Sequence, residues 1–172
     1  GANHNAAFHH CVTPWFAVLN PDLRFTGGNP FPALLSTAAR LGRLGVIAPR
    51  IENSKGGLED AVRANLTPLS LIRRRVMRQR EPLSADQVAQ SGAPFYWLAG
   101  MCLVLAADPF REMGGFDERY FLYCEDYDLC ARLYAAGHGL AVDSQALVVH
   151  DAQRDSHHSR HHLRWHVSSL MK

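Results

Sequence analysis

Gly114-Gly115-Phe116-Asp117-Glu118-Arg119-Tyr120-Phe121-Leu122-Tyr123-Cys124-Glu125-Asp126-Tyr127-Asp128-Leu129-Cys130 is the stretch on which the reading of the fold turns. Its second half opens a helix expected over Glu125–Ala136 and stopped by Gly137, a residue suited to the left-handed turn after a helix. Asp126, Leu129, Cys130 and Leu133 fall at i, i+3, i+4 and i+7, so Asp126 shares the apolar stripe that faces the core. Glu125, Asp128 and Arg132 share a polar stripe, and Asp128 with Arg132 makes an i, i+4 ion pair of a few tenths of a kcal/mol. Glu125 and Asp128 thus have a plain structural explanation. Asp126 has a poorer one: a carboxylate on the buried stripe at a helix start is either a cap or a site residue. Acidic residues in a first turn also complement the helix dipole.

Outward from this helix, strand patterns alternate with helix patterns. Asn3–Cys11 reads as helix, and Trp15–Leu19 as a short buried strand ended by Asn20-Pro21-Asp22. Pro30–Leu41 reads as a helix with Leu34, Leu35, Ala38 and Leu41 on one face. Gly45–Ala48 is a second buried strand, closed by Pro49, and Asn53-Ser54-Lys55-Gly56-Gly57 is a hairpin tip or loop. Leu69–Arg80 is a basic amphipathic stretch and Glu81–Pro94 a polar loop. Phe95–Ala106 is strand-like with a break at Gly100, and Pro109–Met113 is a short helix ended by Gly114-Gly115. Two more strands follow at Leu140–Val142 and Ala146–Val149, then a helix at Ser159–Met171. This alternation predicts an α/β sheet covered by helices on both faces.

The chain of 172 residues is sized for one domain with a core of its own. A formal charge of +2, with 47% hydrophobic and 20% charged residues, gives no footing for nucleic acid binding. No apolar run approaches the roughly 18 residues of a membrane span, and no secretory signal is recognisable, which points to the cytoplasm. The four cysteines, Cys11, Cys102, Cys124 and Cys130, form no CxxC pair and read as buried reduced thiols.

Two residues at strand ends could hold a ligand. Asp22 follows a buried strand, where α/β sheets place their ligands, and a carboxylate there can hold a divalent cation that in turn holds a diphosphate. A turn-forming Asp after Pro is the competing and commoner use. His150 ends the run Ala146-Leu147-Val148-Val149 in a matching position, which suggests a shared metal; a lone His is otherwise structural or exposed. Ten histidines are many for this length, and His158, His162 and His166 would share a helix face. That tail is either a solvated basic face or a transition-metal module. The arginines from Arg73 to Arg80 are likewise either solvated or a contact for an anionic membrane surface. Trp97 and Trp165 are core residues or sugar platforms.

Several ordered motifs resemble family 2 glycosyltransferases of the rhamnosyltransferase-like kind. They are Gly1-Ala2-Asn3-His4-Asn5, Leu19-Asn20-Pro21-Asp22, Ala48-Pro49-Arg50 and Leu98-Ala99-Gly100-Met101-Cys102, then Gly114-Gly115-Phe116-Asp117-Glu118 with Glu125-Asp126-Tyr127-Asp128-Leu129, and Val148-Val149-His150. The last long pair is the most specific. The resemblance implies a GT-A (nucleotide-diphospho-sugar transferase) fold with a mixed, mostly parallel sheet, and inverting, metal-dependent sugar transfer. It implies that Asn20 and Asp22 stand at the DxD-type donor motif, and that Asp22 and His150 ligate Mg²⁺ or Mn²⁺. It makes Asp126 the general base, with Glu125 as fallback, and has Gly100 and its neighbours line the donor and acceptor cleft.

The expected partners are a nucleotide-sugar donor, such as dTDP-rhamnose, and a saccharide or polyprenyl-diphosphate-linked acceptor in bacterial polysaccharide synthesis. Peripheral membrane contact at the inner face goes with a lipid-linked acceptor. Gly1 to Phe8 reads as the middle of a domain, and the family's opening strand, turn and helix do not precede it. Residues 1–172 are therefore expected to form one incomplete domain, with 151–172 as a helical tail. An exposed sheet edge would follow, and with it a possible homodimer. A truncated, non-catalytic remnant acting as a binding or dimerisation module is the alternative.

Overall fold

The computed structural model describes residues 1–64, 84, 87, 95–120 and 124–151. The predicted helices at 69–80 and 159–171, the arginine run, the histidine tail and Trp165 lie outside the described residues. The elements run α1 (Ala2–Phe8), β1 (Trp15–Leu19), β2 (Leu23–Arg24), α2 (Phe31–Leu41), β3 (Leu44–Glu52), β4 (Val62–Ala64), β5 (Tyr96–Leu98), β6 (Cys102–Ala106), α3 (Ala107–Glu112), α4 (Glu125–Ala135) and β7 (Gly139–His150).

One sheet of five strands has the order β1-β6-β3-β7-β2, and β4 pairs with β5 in a second, two-stranded sheet. The sheet is mixed, as expected, but not mostly parallel. Only β3 and β7 are parallel neighbours among the described residues, whereas β1–β6, β3–β6 and β2–β7 are antiparallel. The β1–α2–β3 unit does give two strands of one direction, as the alternating pattern implied. β6 then inserts between them, antiparallel to both. The consequence is functional: β1, β3 and β7 all deliver their carboxyl ends to the same end of the sheet, where ligands of α/β sheets bind.

Pro49 does not close its strand. β3 continues to Glu52, and Pro49 sits at a register irregularity against β7, beyond the Val46–Ile47 segment that pairs with β6. A residue without an N–H is tolerated where the ladder is already broken. The two strands expected at 140–142 and 146–149 are one, because the register skips from Asp143 to Leu147 as a bulge. Asp143 is buried and holds that bulge, accepting hydrogen bonds from the Thr37 hydroxyl of α2 at 2.8 Å and the Gln145 amide at 2.9 Å.

The core lies on both sheet faces. α2 covers one with Leu34 and Ala38 against Ile47 and Val104; α4 covers the other with Leu129, Cys130 and Leu133 against Val46, Leu103 and Leu105. Gly45 sets how closely α4 approaches β3. A Cβ there would stand 2.9 Å from Leu133 and 3.0 Å from the His138 Cβ, closer than real packing allows. Cys102 and Cys130 are buried free thiols as predicted, but Cys11 and Cys124 are only half-buried, since both lie in connecting turns at the ends of helices rather than in the sheet. Trp97 is 4% exposed and is a core residue, not a platform.

Candidate active site

Asp126 lies in the first turn of α4, on the stripe that packs against the sheet. It is not a cap: Cys124 occupies that position, with no side-chain capping bond. The Asp126 carboxylate instead reaches across to the break between β5 and β6. Its Oδ2 accepts the Gly100 N–H at 2.8 Å and its Oδ1 accepts the Tyr127 N–H at 2.9 Å. Burial pushes the Asp126 carboxyl above its usual range, against the pull of the Gly100 amide, the Arg63 charge and the Tyr127 amide. Gly100 thus meets the predicted site through its backbone.

Glu125 is adjacent. Burial raises its carboxyl too, and its Oε2 is buried with no hydrogen-bond partner among the described residues. Cys124, just before, has φ 69° and is the one non-glycine residue at positive φ among those described. Such a conformation costs of order 1 kcal/mol or more and is sustained only where the surroundings fix it.

A brace of side chains holds the Gly114–Glu118 turn against the same helix. Arg132 makes two bonds to Asp128 at 2.6 and 2.8 Å, which is the i, i+4 pair expected, and also donates to the Met113 and Gly115 carbonyls at 2.8 and 2.9 Å. From the other side Asn5 of α1 accepts the Phe116 N–H at 2.9 Å, and donates to the Phe116 carbonyl at 2.8 Å and to Glu118 at 3.0 Å. Gly115 makes this possible: its φ is 78°, and a Cβ would lie 2.5 Å from the Asn5 Oδ1. The brace therefore runs α1–turn–α4, the helix that carries Asp126.

Asp22 and His150 are brought together. Asp22 Oδ1 lies 3.2 Å from His150 Nε2; the imidazole is buried and the carboxylate is 37% exposed. Strand pairing puts them there, because β2 follows Asp22 and Leu23 pairs with His150. The His150 Nδ1 is buried without a hydrogen-bond partner among the described residues. The 3.2 Å separation also suits two donors on adjacent vertices of one cation, since ligand distances of about 2.1 Å at right angles give an edge of about 3.0 Å. No group of three or more potential ligands occurs among the described residues.

Asn20 joins this pair to the carboxylate. Its N–H donates to the Met101 carbonyl at 2.9 Å, one residue from the Gly100 amide that holds Asp126. Asn20, Asp22, Gly100, Glu125, Asp126 and His150 therefore stand at one end of the sheet.

Three neighbours carried no sequence signal. Asp151 pairs with Arg24 and accepts the Ser54 N–H at 2.8 Å, which ties the Asn53–Gly57 turn beside His150. The Ser54 amide and hydroxyl, then Arg24, hold the Asp151 carboxyl below its usual range. Arg63 lies over the Trp97 ring at 4.8 Å, and Asn5 was visible only as part of a motif. Arg63 closes a stretch whose periodicity is weak, and its pairing with Trp97 across two short strands is a tertiary fact.

No family model matches the chain. Curated proteins do. It is 34% identical over 169 residues to the N-acetylglucosaminyl-diphospho-decaprenol L-rhamnosyltransferase of Mycobacterium tuberculosis, in strains CDC 1551 / Oshkosh and ATCC 25618 / H37Rv, across 92% of this chain and 54% of that protein. The chain is similar in sequence to these rhamnosyltransferases. A second relative, rhamnosyltransferase WbbL of Escherichia coli strain K12, is 38% identical over 78 residues, 44% of this chain and 29% of that protein. The chain thus spans about half the length of the mycobacterial relatives it matches.

Proposed function

We propose that the chain carries the catalytic centre of an inverting glycosyltransferase of GT-A type. It moves L-rhamnose from a nucleoside-diphosphate donor to an N-acetylglucosaminyl diphosphate on a polyprenol. The observation that carries the reading is Asp126: a carboxylate raised by burial, oriented by the Gly100 amide, at the same end of the sheet as the Asp22–His150 pair. The substrate assignment is supported by the mycobacterial relatives' printed activity.

In this reading Asp126 takes the proton from the acceptor hydroxyl as that oxygen attacks the anomeric carbon. One base suffices when attack and departure occur on opposite faces of the sugar. A raised carboxyl is a better base for this than an ordinary one, and such help is typically worth 10²–10⁴-fold. Asp22 and His150 would hold Mn²⁺ or Mg²⁺, with the nitrogen donor favouring Mn²⁺ over the stricter all-oxygen preference of Mg²⁺. The cation would supply positive charge to the departing nucleoside diphosphate. Asn20 fixes the turn that carries Asp22. A lipid-linked acceptor would be met at the membrane surface, on the cytoplasmic side; among the described residues no helix is long and apolar enough to cross a membrane.

Incubation with dTDP-rhamnose and a short-chain prenyl diphospho-N-acetylglucosamine, with and without a chelator, tests this. The expected product is a disaccharide lipid whose new linkage has the anomeric configuration opposite to the donor's, formed only with the cation present. Retention of configuration would refute the single-base mechanism, and undiminished turnover in chelator would refute the metal role.

A further inference from the structure

Arg63 is placed by three contacts that leave its Nη nitrogens unused among the described residues. Its Nε donates to the Asp60 carbonyl at 3.0 Å and lies 3.0 Å from the Asp60 carboxylate. Its guanidinium carbon is 4.8 Å from the centre of the Trp97 ring. Trp97 is itself fixed, by its Nε1–H on the Ala64 carbonyl at 3.2 Å and by an edge contact with Tyr127 at 5.7 Å. Tyr127 is the residue after Asp126, so the stack Arg63–Trp97–Tyr127 ends at the candidate base. None of these contacts uses an Nη nitrogen, and neither Nη has a partner among the described residues. The side chain is 24% exposed.

We propose that Arg63 is the phosphate receiver for the lipid-linked acceptor: a guanidinium pinned by Asp60 and Trp97, whose Nη pair grips the acceptor's diphosphate beside Asp126. This rests on the transferase reading and adds the acceptor subsite to it. A planar fork held in one orientation suits two phosphate oxygens at once, and its ordering is complete before the ligand arrives. The position fits the acceptor and not the donor. When the acceptor hydroxyl meets Asp126, the phosphate on the same sugar lies about one pyranose ring away on that side. The donor diphosphate belongs with Asp22 and His150, whereas Arg63 stands on the separate β4–β5 sheet. The Arg63 charge also draws the Asp126 carboxyl down against burial, which puts the two groups within electrostatic reach.

The test is calorimetric titration of the chain and of its Arg63→Gln and Arg63→Lys variants with three probes. They are geranyl diphospho-N-acetylglucosamine, octyl N-acetylglucosaminide without phosphate, and dTDP with Mn²⁺. The chain is expected to prefer the diphosphate probe at least about tenfold over the neutral one (1.4 kcal/mol). Arg63→Gln should bind both alike, Arg63→Lys should fall between because it keeps the charge but loses the fork, and dTDP affinity should not move. Unchanged preference in Arg63→Gln overturns the proposal, as does loss of dTDP in place of the acceptor probe. A chain that binds dTDP with Mn²⁺ but shows no acceptor preference overturns Arg63's role alone. A chain that binds none of the three overturns the transferase reading and this proposal with it.

Discussion

Asp126 and Asp22 are carboxylates at the same end of one sheet, and they are built in opposite ways. Asp126 lies on the core side of α4, takes two backbone N–H groups, and sits on a helix tied to α1 through Arg132, Gly115 and Asn5. Asp22 is exposed on a three-residue turn between two strands and pairs with His150. On the proposed reading, the difference separates the two tasks. A base must have its proton affinity set before the substrate arrives, and burial with fixed dipoles sets it. A cation site that shares its ligands with a diphosphate must stay open, so it keeps few protein donors.

Substitutions that remove one region and spare the other should show this division, and the largest effect is expected at the base. Asp126→Asn should lower kcat by about 10²–10⁴-fold while leaving nucleotide binding unchanged. Loss of nucleotide affinity with normal turnover would merge the two regions. The pH profile sharpens the point. The rate should fall as pH drops through the Asp126 value, with the acid limb above the ordinary aspartate value of 3.8, because burial raises that carboxyl. A limb at or below the ordinary value would remove Asp126 from the chemistry.

Next in size is the open site. Asp22→Ala should weaken dTDP binding in Mn²⁺ by at least about 10–100-fold, the range for losing even an outer partner of a metal ligand. Calorimetry with and without the cation would read it, and a metal-independent loss would count against the cation.

A structural effect ranks third. Asn5→Ala removes three hydrogen bonds to the Phe116–Glu118 turn and should cost about 1–3 kcal/mol, roughly 2–4 °C of Tm per kcal/mol in a chain this size. An unchanged Tm would show that the brace is not holding the turn. The smallest effect expected is at Glu125. Its folded carboxyl is raised by burial, so it contributes stability below the ordinary glutamate value and loses it as pH rises through the raised one. Glu125→Gln should therefore raise Tm slightly at pH 7, with the gain vanishing in acid.

Much of this site was legible in the sequence because its parts lie at element ends. The apolar stripe through Leu129, Cys130 and Leu133 put Asp126 on the inner face of α4, and the strand-end positions of Asp22 and His150 suggested that they meet. What stayed hidden depends on pairing between distant strands. β6 entering between β1 and β3 reversed the expected parallel order, and no local pattern carries strand direction. Pro49 read as a terminator because a proline cannot extend a regular ladder, whereas the irregularity against β7 makes room for it. Arg63 acquires its place only through Trp97, across a three-residue pairing too short to announce itself.

The most direct test of the division between the two regions is a paired measurement of dTDP affinity in Mn²⁺ and of kcat for Asp126→Asn and Asp22→Ala. The account expects Asp126→Asn to keep wild-type affinity and lose turnover, and Asp22→Ala to lose affinity. Asp126→Asn retaining turnover, or Asp22→Ala retaining cation-dependent affinity, would contradict it.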